Sequence, residues 1–225
     1  MLAKGFLDDI YDVMTMLPKD TQVCCFSATM PRPMIELTEK FLREPAKVVV
    51  KAEQLTLRGI SNYYILLDEE AWKLETLCDL YEQISVAQSV IFCNRKRTVE
   101  LLAEELERRD FTVAATHGGL DQAERRRIFQ DFKDARARVL ITTDLYARGI
   151  DVQGVSMVIN FDIPRGEEGV ANFLHRVGRS GRYGRRGIAI NFVTPRDTAD
   201  LREIERYYEM EIQPLPNNFG QAHND

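Results

Sequence analysis

From residue 60 onward, short apolar runs alternate with longer amphipathic stretches. Continuous apolar runs of this kind are typical of parallel strands that are buried on both faces. The runs are Tyr63–Leu67, Ser89–Cys93, Val113–Thr116, Val139–Thr142, Met157–Phe161 and Ile188–Val193. Alternating β and α units predict an α/β fold, a parallel sheet with helices on both faces. The loops after the carboxyl ends of the strands are then the expected ligand site.

The stretches between these runs carry apolar residues at helical spacing, so each predicts a helix that packs one face on the sheet. The three apolar stripes are Val99, Leu102, Ala103 and Leu106; Ile128, Phe129 and Phe132; and Leu201, Ile204, Tyr207 and Tyr208. Asp121, with Glu124 three residues later, predicts the start of a helix by a capping box.

The first fifty residues have a different pattern, with two helices predicted at Phe6–Leu17 and Met34–Leu42 and two strands at Val23–Phe26 and Val48–Val50. Two strands and two helices cannot close a sheet of their own. We therefore interpret this segment as the end of a domain whose larger part is absent. The predicted divisions are a first-domain remnant at 1–51, a polar linker at 52–59, a complete second domain at 60–215 and a flexible tail at 216–225.

Composition excludes several classes of protein. Hydrophobic residues make up 44% and charged residues 29% of the chain, as in ordinary soluble domains. The four cysteines have neither C-x-x-C nor zinc spacing, so we expect reduced thiols packed as small hydrophobic groups. No apolar run approaches the length of a membrane span, and acidic residues interrupt the N-terminus, which excludes a signal peptide. A cytoplasmic or nuclear protein without a membrane partner is expected.

The net charge of −5 averages over the surface and conceals three local basic clusters. Two are Arg95–Arg97 and Arg125–Arg127. The third begins with the sequence H-R-V-G-R-S-G-R at residues 175–182 and contains five arginines by residue 187, with no acid among them. Because like charges repel, we expect a polyanion to bind against this segment. A solvated basic face is the alternative, but it does not explain the regular H-R-x-G-R-x-G-R spacing.

This arginine-rich segment resembles motif VI of the DEAD-box RNA helicases, whose arginines reach the phosphates of ATP. Other segments are similar to further motifs of the same family, in the family's order. They are Ser27-Ala28-Thr29 for motif III, Val90–Arg97 for motif IV, Thr116–Gly119 with Gln122–Arg125 for the Q-x-x-R region, and Thr142–Val152 for motif V.

The resemblance implies a RecA-like fold and a role for each matching residue. Arg179 and Arg182 are expected to be catalytic and to bind ATP, together with Gly149 and Asp151. The expected RNA-binding residues are Asn94, Arg97, Gly118, Gln122, Arg125, Thr143, Asp144 and Arg148. The expected interdomain coupling residues are Ser27, Ala28, Thr29, His175 and Arg176. Two structural alternatives stay open. Asp151 is either a ribose contact or a turn residue, and His117, next to Gly118, is either a ligand contact or a hydrogen-bonding residue of its loop.

The chain departs from the family pattern at three points. The segment between Pro164 and His175 is about three residues longer, a change that costs little in loop entropy. Phe173 stands where a tyrosine usually precedes the H-R pair, and Gly119 where an acid is common. Neither a phosphate loop nor the Asp-Glu-Ala-Asp box is present, so Mg²⁺ ligands are expected from a missing first domain.

The resemblance is strongest to the initiation factor 4A group, which includes a nuclear exon-junction paralogue. Glu53–Leu57 and Glu69–Tyr81 carry this narrower match. Cys93 and Ser180–Tyr183 favour the paralogue, whereas Leu145 with Ile150 and Asp151 favours the translation factor, and both remain open.

We therefore expect the C-terminal part of an ATP-dependent RNA helicase that binds RNA without sequence preference. It would act in translation initiation or mRNA processing, with scaffold proteins as partners, and would be inactive without the first domain. Two alternatives remain open: a non-catalytic RNA- or partner-binding module, and a nucleotide-binding domain of another helicase-fold protein that acts on DNA.

Overall fold

In the computed structural model, the chain divides into two units, Met1–Leu55 and Thr56–Asp225. The structure describes residues 7–27, 32–48, 59–146, 152–166, 168–181, 186–217 and 219. Among these residues, no helix has the length and apolar character needed to cross a bilayer.

The first unit contains the two predicted helices, α1 (Leu7–Met16) and α2 (Arg32–Phe41), whose Tyr11 and Phe41 rings meet edge to face. The predicted strand Val23–Phe26 is wrong, because residues 21–27 form no regular structure. The Phe26 side chain is 93% exposed. A strand needs a neighbouring edge for its hydrogen bonds, and the described part of this unit contains none.

The described part of the first unit also has no sheet against which apolar side chains can pack, and this explains two further differences from the prediction. Cys24 and Cys25 are exposed, whereas Cys78 and Cys93 in the second unit are buried as predicted. Val48, the first residue of the other predicted strand, is not in a strand and is 93% exposed. The rest of that predicted strand lies outside the described residues.

The second unit is built on a seven-stranded sheet in which all pairs are parallel. Its strands are β1 (Ile60–Leu66), β2 (Gln88–Phe92), β3 (Val113–Thr116), β4 (Val139–Thr142), β5 (Val155–Asn160), β6 (Gly187–Val193) and β7 (Gln213–Pro214). The spatial order is β3-β4-β2-β5-β6-β1-β7. The predicted α/β class is therefore confirmed, and six of the seven strands coincide with the predicted apolar runs.

In the described part of this unit, five helices connect the strands: α3 (Lys73–Gln83), α4 (Lys96–Glu107), α5 (Gln122–Lys133), α6 (Gly169–Val177) and α7 (Thr198–Tyr208). Short 3-10 helices lie at Glu70–Trp72 and Asp144–Tyr146. The predicted cap of α5 is confirmed, because the Asp121 carboxylate accepts a hydrogen bond from the Glu124 amide at 2.8 Å.

Helices cover both faces of the sheet because successive strand residues point to opposite sides. On β2, Ile91 packs in the cluster that contains Leu77 of α3 and Leu102 of α4. Its neighbours Val90 and Phe92 pack with Phe132 of α5 on the other side. Burying each of these large side chains contributes about 1.5–3 kcal/mol.

The predicted apolar stripe on α7 is wrong at one position. Leu201, Ile204 and Tyr208 are buried as predicted, but Tyr207 is 57% exposed. The Tyr208 hydroxyl donates a hydrogen bond to the Val170 carbonyl oxygen at 2.9 Å, which ties α7 to α6.

Gly181 lies four residues past the end of α6 and is close in space to the start of β6, and its backbone has a φ of +68°. A Cβ atom at this position would lie 2.7 Å from Ile60 Cγ1 and 3.1 Å from the Gly187 nitrogen. Both the backbone conformation and the space therefore require glycine. Gly166 has a φ of +79°, but a Cβ atom there would meet no atom within 4 Å.

These two glycines separate backbone strain from crowding. We expect Gly166→Ala to lower the free energy of unfolding by about 1–2 kcal/mol, the cost of a left-handed alanine. Gly181→Ala adds an overpacking cost of about 1–3 kcal/mol to that strain. Urea unfolding of the two variants measures the difference, and equal losses would show that the contact with Ile60 and Gly187 relaxes freely.

Candidate functional site

The carboxyl ends of four neighbouring strands lie level at one edge of the sheet. The register pairs Thr142 of β4 with both Thr116 of β3 and Phe92 of β2, and it pairs Phe92 with Asn160 of β5. The residues that follow these strands therefore meet at the same edge. We call this edge, with residues 93–97, 117–125, 143–144 and 161–163, the carboxyl edge.

Arg176 of α6 lies beneath the carboxyl edge, fully buried at 0% exposure. Its guanidinium binds the Asp144 carboxylate twice, from Nε to Oδ1 at 2.5 Å and from Nη2 to Oδ2 at 2.8 Å. Nη2 also donates to Asn94 Oδ1 at 2.8 Å, and Nη1 donates to the Asp162 carbonyl oxygen at 2.7 Å. The guanidinium carbon lies 5.3 Å from the centre of the Phe92 ring. One buried cation thus joins the ends of β2, β4 and β5.

This arrangement differs from the expectation that Arg176 faces a polyanion together with the other arginines of its segment, because its guanidinium is buried and bound within the unit. Its expected role in interdomain coupling stays a prediction. Its carboxylate partner comes from a segment 32 residues earlier, so the lack of a nearby acid in the sequence is misleading. Asn94 and Asp144 lie at the carboxyl edge as predicted, but their side chains are bound to Arg176. The side-chain nitrogen of Asn94, Nδ2, also donates to the Ile163 carbonyl oxygen at 2.8 Å.

Arg179 lies just beyond the C-terminal end of α6, where it is partly buried. Its Nε donates to the carbonyl oxygen of His175 at 2.9 Å, so the side chain folds back along the helix end. His175 is also partly exposed. Arg176 and Arg179 therefore differ in environment although they are only three residues apart. Arg176 is buried and bound to the strand ends, whereas Arg179 is partly exposed at the surface.

Gly118 and Gly119 form the turn between β3 and α5. His117, at 8% side-chain exposure, has Nε2 3.0 Å from Glu100 Oε1, and its Nδ1 accepts a hydrogen bond from the Gly119 amide at 3.0 Å. Of the two interpretations of His117, the structure therefore favours the hydrogen-bonding residue. A Cβ atom at position 119 would lie 3.0 Å from His117 Nδ1, whereas one at Gly118 would meet no atom within 4 Å. The open side of the turn is at Gly118.

Four other predicted RNA-binding residues lie beside this turn or at the neighbouring helix starts. Gln122 and Arg125 are in the first turn of α5, Arg97 is in the first turn of α4, and Thr143 follows β4 directly. Gln122 and Arg97 are exposed, and Arg125 and Thr143 are partly exposed. The amino end of α5 presents backbone N–H groups at the carboxyl edge, which favours an anion.

The remaining predicted site residues are one described residue and six that lie outside the described residues. Ser27 is described and is exposed in the first unit. Ala28, Thr29, Arg148, Gly149, Asp151 and Arg182 lie outside the described residues. In the part of the chain that is described, no group of three or more His, Cys, Asp and Glu side chains is placed to hold a metal ion.

The longer segment after Pro164 is partly taken up by α6, which begins at Gly169. Before it, Arg165 pairs with Asp197 at 2.5 Å and with Asp200 at 3.2 Å. Phe173 is fully buried within α6, so an apolar ring at this position needs no hydrogen-bond partner. Both departures from the family pattern are thus accommodated by local packing.

A cavity of about 460 Å³ lies at the opposite edge, near the starts of β2, β3 and β4. Its two arginines are already bound within the unit. Arg109 donates to Glu75 at 2.6 and 3.0 Å, and Arg138 donates to the Val86 carbonyl oxygen at 2.6 Å. None of the described residues implicated by sequence lines this cavity, so the carboxyl edge is the candidate site.

Asp162 and Asn160 belong to the site but were missed from the sequence. Asp162 Oδ2 accepts a hydrogen bond from the Asn94 amide at 2.9 Å, and Asn160 is completely buried near Arg176. The available signal was their position at the end of the apolar run that forms β5, level with the ends of β2 and β4.

Comparison with known proteins identifies relatives that agree with one another. The family model described as "Helicase conserved C-terminal domain" matches residues 72–184. The ATP-dependent RNA helicase eIF4A of Neurospora crassa is 52% identical over 218 residues, covering 97% of this chain and 54% of that protein. The chain thus spans about half the length of the curated relatives it matches.

Two solved structures are similar in fold. One is S. cerevisiae Dbp5 bound to RNA and ADP BeF3, with a TM-score of 0.89 and 34% identity over 99% of this chain and 59% of that one. The other is the C-terminal domain of the DEAD-box protein Dbp5, with a TM-score of 0.66 and 36% identity over 73% of this chain and 96% of that one.

The Arg176 network predicts a large stability difference between two Arg→Met substitutions. Arg176→Met leaves the Asp144 carboxylate and the Asn94 amide oxygen without their donor, and we expect a loss of about 3–5 kcal/mol. Arg108→Met breaks exposed pairs with Glu104 and Glu105 and should cost about 0–1 kcal/mol. Denaturant unfolding measures both. A loss below 1 kcal/mol for Arg176→Met would contradict the bracing role.

Proposed function

This chain belongs to the helicase conserved C-terminal domain family, and from that premise we propose that it supplies the C-terminal half of a DEAD-box ATP-dependent RNA helicase of the eIF4A type. The resemblance to this family and the RecA-like fold predicted from the sequence are both confirmed. The observation that carries the proposal is the convergence of the motif IV, V and VI segments at the carboxyl edge around buried Arg176.

In this proposal RNA binds along the carboxyl edge through its phosphate and ribose groups. Gly118 offers an open backbone approach, Thr143 follows the neighbouring strand, and Arg125 and Arg97 supply positive charge. Contacts of this kind recognise the backbone and not the bases, so binding is independent of sequence. Gln122 and Arg148 belong to the same proposed surface, while Asn94 and Asp144 act by holding it in shape.

ATP is proposed to bind beside the end of α6, with Gly149 and Asp151 at the ribose and Arg179 and Arg182 at the phosphates. A guanidinium stabilises charge that develops during phosphoryl transfer but supplies neither Mg²⁺ ligands nor a positioned water. Those groups would come from an N-terminal half like that of the eIF4A relatives. Ser27, Ala28, Thr29 and His175 would connect the halves, and Arg176 would act indirectly by fixing α6.

The biological setting is proposed by analogy with the relatives. We place the protein in translation initiation or mRNA processing, in the cytoplasm or nucleus, with scaffold proteins as partners. Binding of ATP and RNA would be mutually favourable, because one closed arrangement of the two halves serves both ligands.

RNA affinity tests the proposed surface. We expect the chain to bind unrelated single-stranded RNAs equally and more weakly as salt rises. Arg125→Ala should weaken binding to all of them and lower the salt slope by about one, because one phosphate contact is lost. Arg136→Ala, which removes an arginine just past the other end of α5, is the matched control. Fluorescence anisotropy at several salt concentrations measures both quantities. A sequence preference that persists at high salt would contradict the proposal.

Catalysis tests the arginines. This chain alone should not hydrolyse ATP, but joined to the N-terminal half of an eIF4A relative it should show RNA-stimulated hydrolysis. Arg179→Ala or Arg182→Ala should then lower turnover by about 10³-fold or more. Arg179→Lys should also be impaired, because an ammonium cannot span two phosphate oxygens.

The control for these variants is Arg108→Ala, and RNA binding should survive better than hydrolysis in all the arginine variants. Steady-state hydrolysis with and without RNA is the measurement. Robust turnover by the chain alone, or unchanged turnover in Arg179→Ala, would remove the assigned role.

A further inference from the structure

Lys73, at the start of α3, lies outside the segments that resemble motifs III to VI, although it is within Glu69–Tyr81, which carries the narrower family match. It is 1% exposed, which is unusual for a lysine. Its ammonium lies 2.8 Å from Glu70 Oε2 and 3.1 Å from Asp162 Oδ1, and 5.5 Å from the centre of the Phe161 ring. A buried cation with these partners is costly to maintain, so its position calls for an explanation.

The ammonium stays charged in this environment. Burial lowers the pKa of Lys73, but the hydrogen bond with Glu70 and the charge of Asp162 outweigh it and hold the pKa above its usual value. Lys73 is therefore a permanent cation placed behind Asp162.

Asp162 connects this cation to the carboxyl edge. Its Oδ1 accepts a hydrogen bond from Lys73, while its Oδ2 accepts one from the backbone N–H of Asn94 at 2.9 Å. Asn94 in turn accepts a hydrogen bond from Arg176, which binds Asp144. A continuous chain of charged and amide groups thus runs from Lys73 to the segments that follow β2 and β4.

Lys73 also changes the electrostatic potential at the carboxyl edge, in addition to linking the groups that shape it. Asp162 places a carboxylate at an edge that is proposed to bind a polyanion, and an uncompensated carboxylate would repel phosphate. Asp162 is 19% exposed at its side chain, so its charge is felt at the surface. Lys73 lies behind this carboxylate and offsets its charge, although the same ammonium also pairs with the half-exposed Glu70.

We propose that Lys73 is a positioning residue for the RNA-facing edge, which neutralises Asp162 and holds it against the Asn94 amide without contacting the nucleic acid. This inference rests on the proposed RNA binding. Because Lys73 is almost fully buried, it releases no counterion when RNA binds. Its loss should therefore lower affinity by uncovering the Asp162 charge and not by removing a phosphate contact, and this effect should be greatest at low salt, because salt screens the repulsion.

The test uses the full chain with Lys73→Met, Asp162→Asn and the double variant, with Lys133→Met of exposed Lys133 on α5 as the control. RNA affinity is measured with a fluorescent oligouridylate at several salt concentrations, and hydrogen exchange is measured at the Asn94 amide. We expect Lys73→Met to lose about tenfold in affinity at low salt, by analogy with the loss of outer partners of metal ligands, and less at high salt, with faster exchange of the Asn94 backbone N–H. The double variant should recover most of the affinity, because a neutral amide at position 162 needs no cation.

Several outcomes overturn the inference. They are wild-type affinity in Lys73→Met, unchanged exchange at the Asn94 backbone N–H, and a double variant as weak as the single one. If Lys73→Met does not fold, the double variant decides: recovery of folding and affinity supports charge neutralisation, and continued unfolding refutes it. If the wild-type chain binds no RNA, the proposed function fails instead, and exchange at Asn94 still decides whether Lys73 holds this edge.

Discussion

The guanidinium of Arg176 is the interaction on which the candidate site depends. A cation with no solvent exposure must have each of its N–H groups paired, because the desolvation cost is otherwise prohibitive. The partners that satisfy it come from the ends of three strands, through Asn94, Asp144 and the Asp162 carbonyl oxygen. The requirement of one buried charge thus sets the relative positions of the segments that carry the family motifs.

The residues of these motifs divide into two groups with different physical roles. Asn94, Asp144 and Arg176 bind one another and give the carboxyl edge its shape. Gly118 and Arg125 lie at its surface, where an open backbone position and a partly exposed guanidinium suit a phosphate. A family motif records both groups alike, since loss of either impairs the same activity. Only the contacts separate a residue that binds the ligand from one that positions it.

The two edges of the sheet are also used differently. At the carboxyl edge, parallel strands end level and the amino ends of α4 and α5 face the same way, which favours anions. At the opposite edge, a cavity is present, but Arg109 and Arg138 are bound to Glu75 and the Val86 carbonyl oxygen. The presence of a cavity is therefore a poor guide to function here. Strand direction is the better one, because it determines where backbone donors and loop side chains converge.

Local pattern in the sequence determined the α/β class, six of the strand positions, the cap at Asp121 and the family itself. Apolar periodicity and short motifs depend only on residues close in the sequence. The elements that they predict form wherever a sheet is present to bury their apolar side chains. The strand predicted at Val23–Phe26 failed because a strand also needs a partner edge, and the described part of its unit has none. The pairing of Arg176 with Asp144 and Asn94, and of Lys73 with Asp162, was decided only by tertiary structure. These partners are 32, 82 and 89 residues apart in the chain, and the parallel sheet alone brings them together.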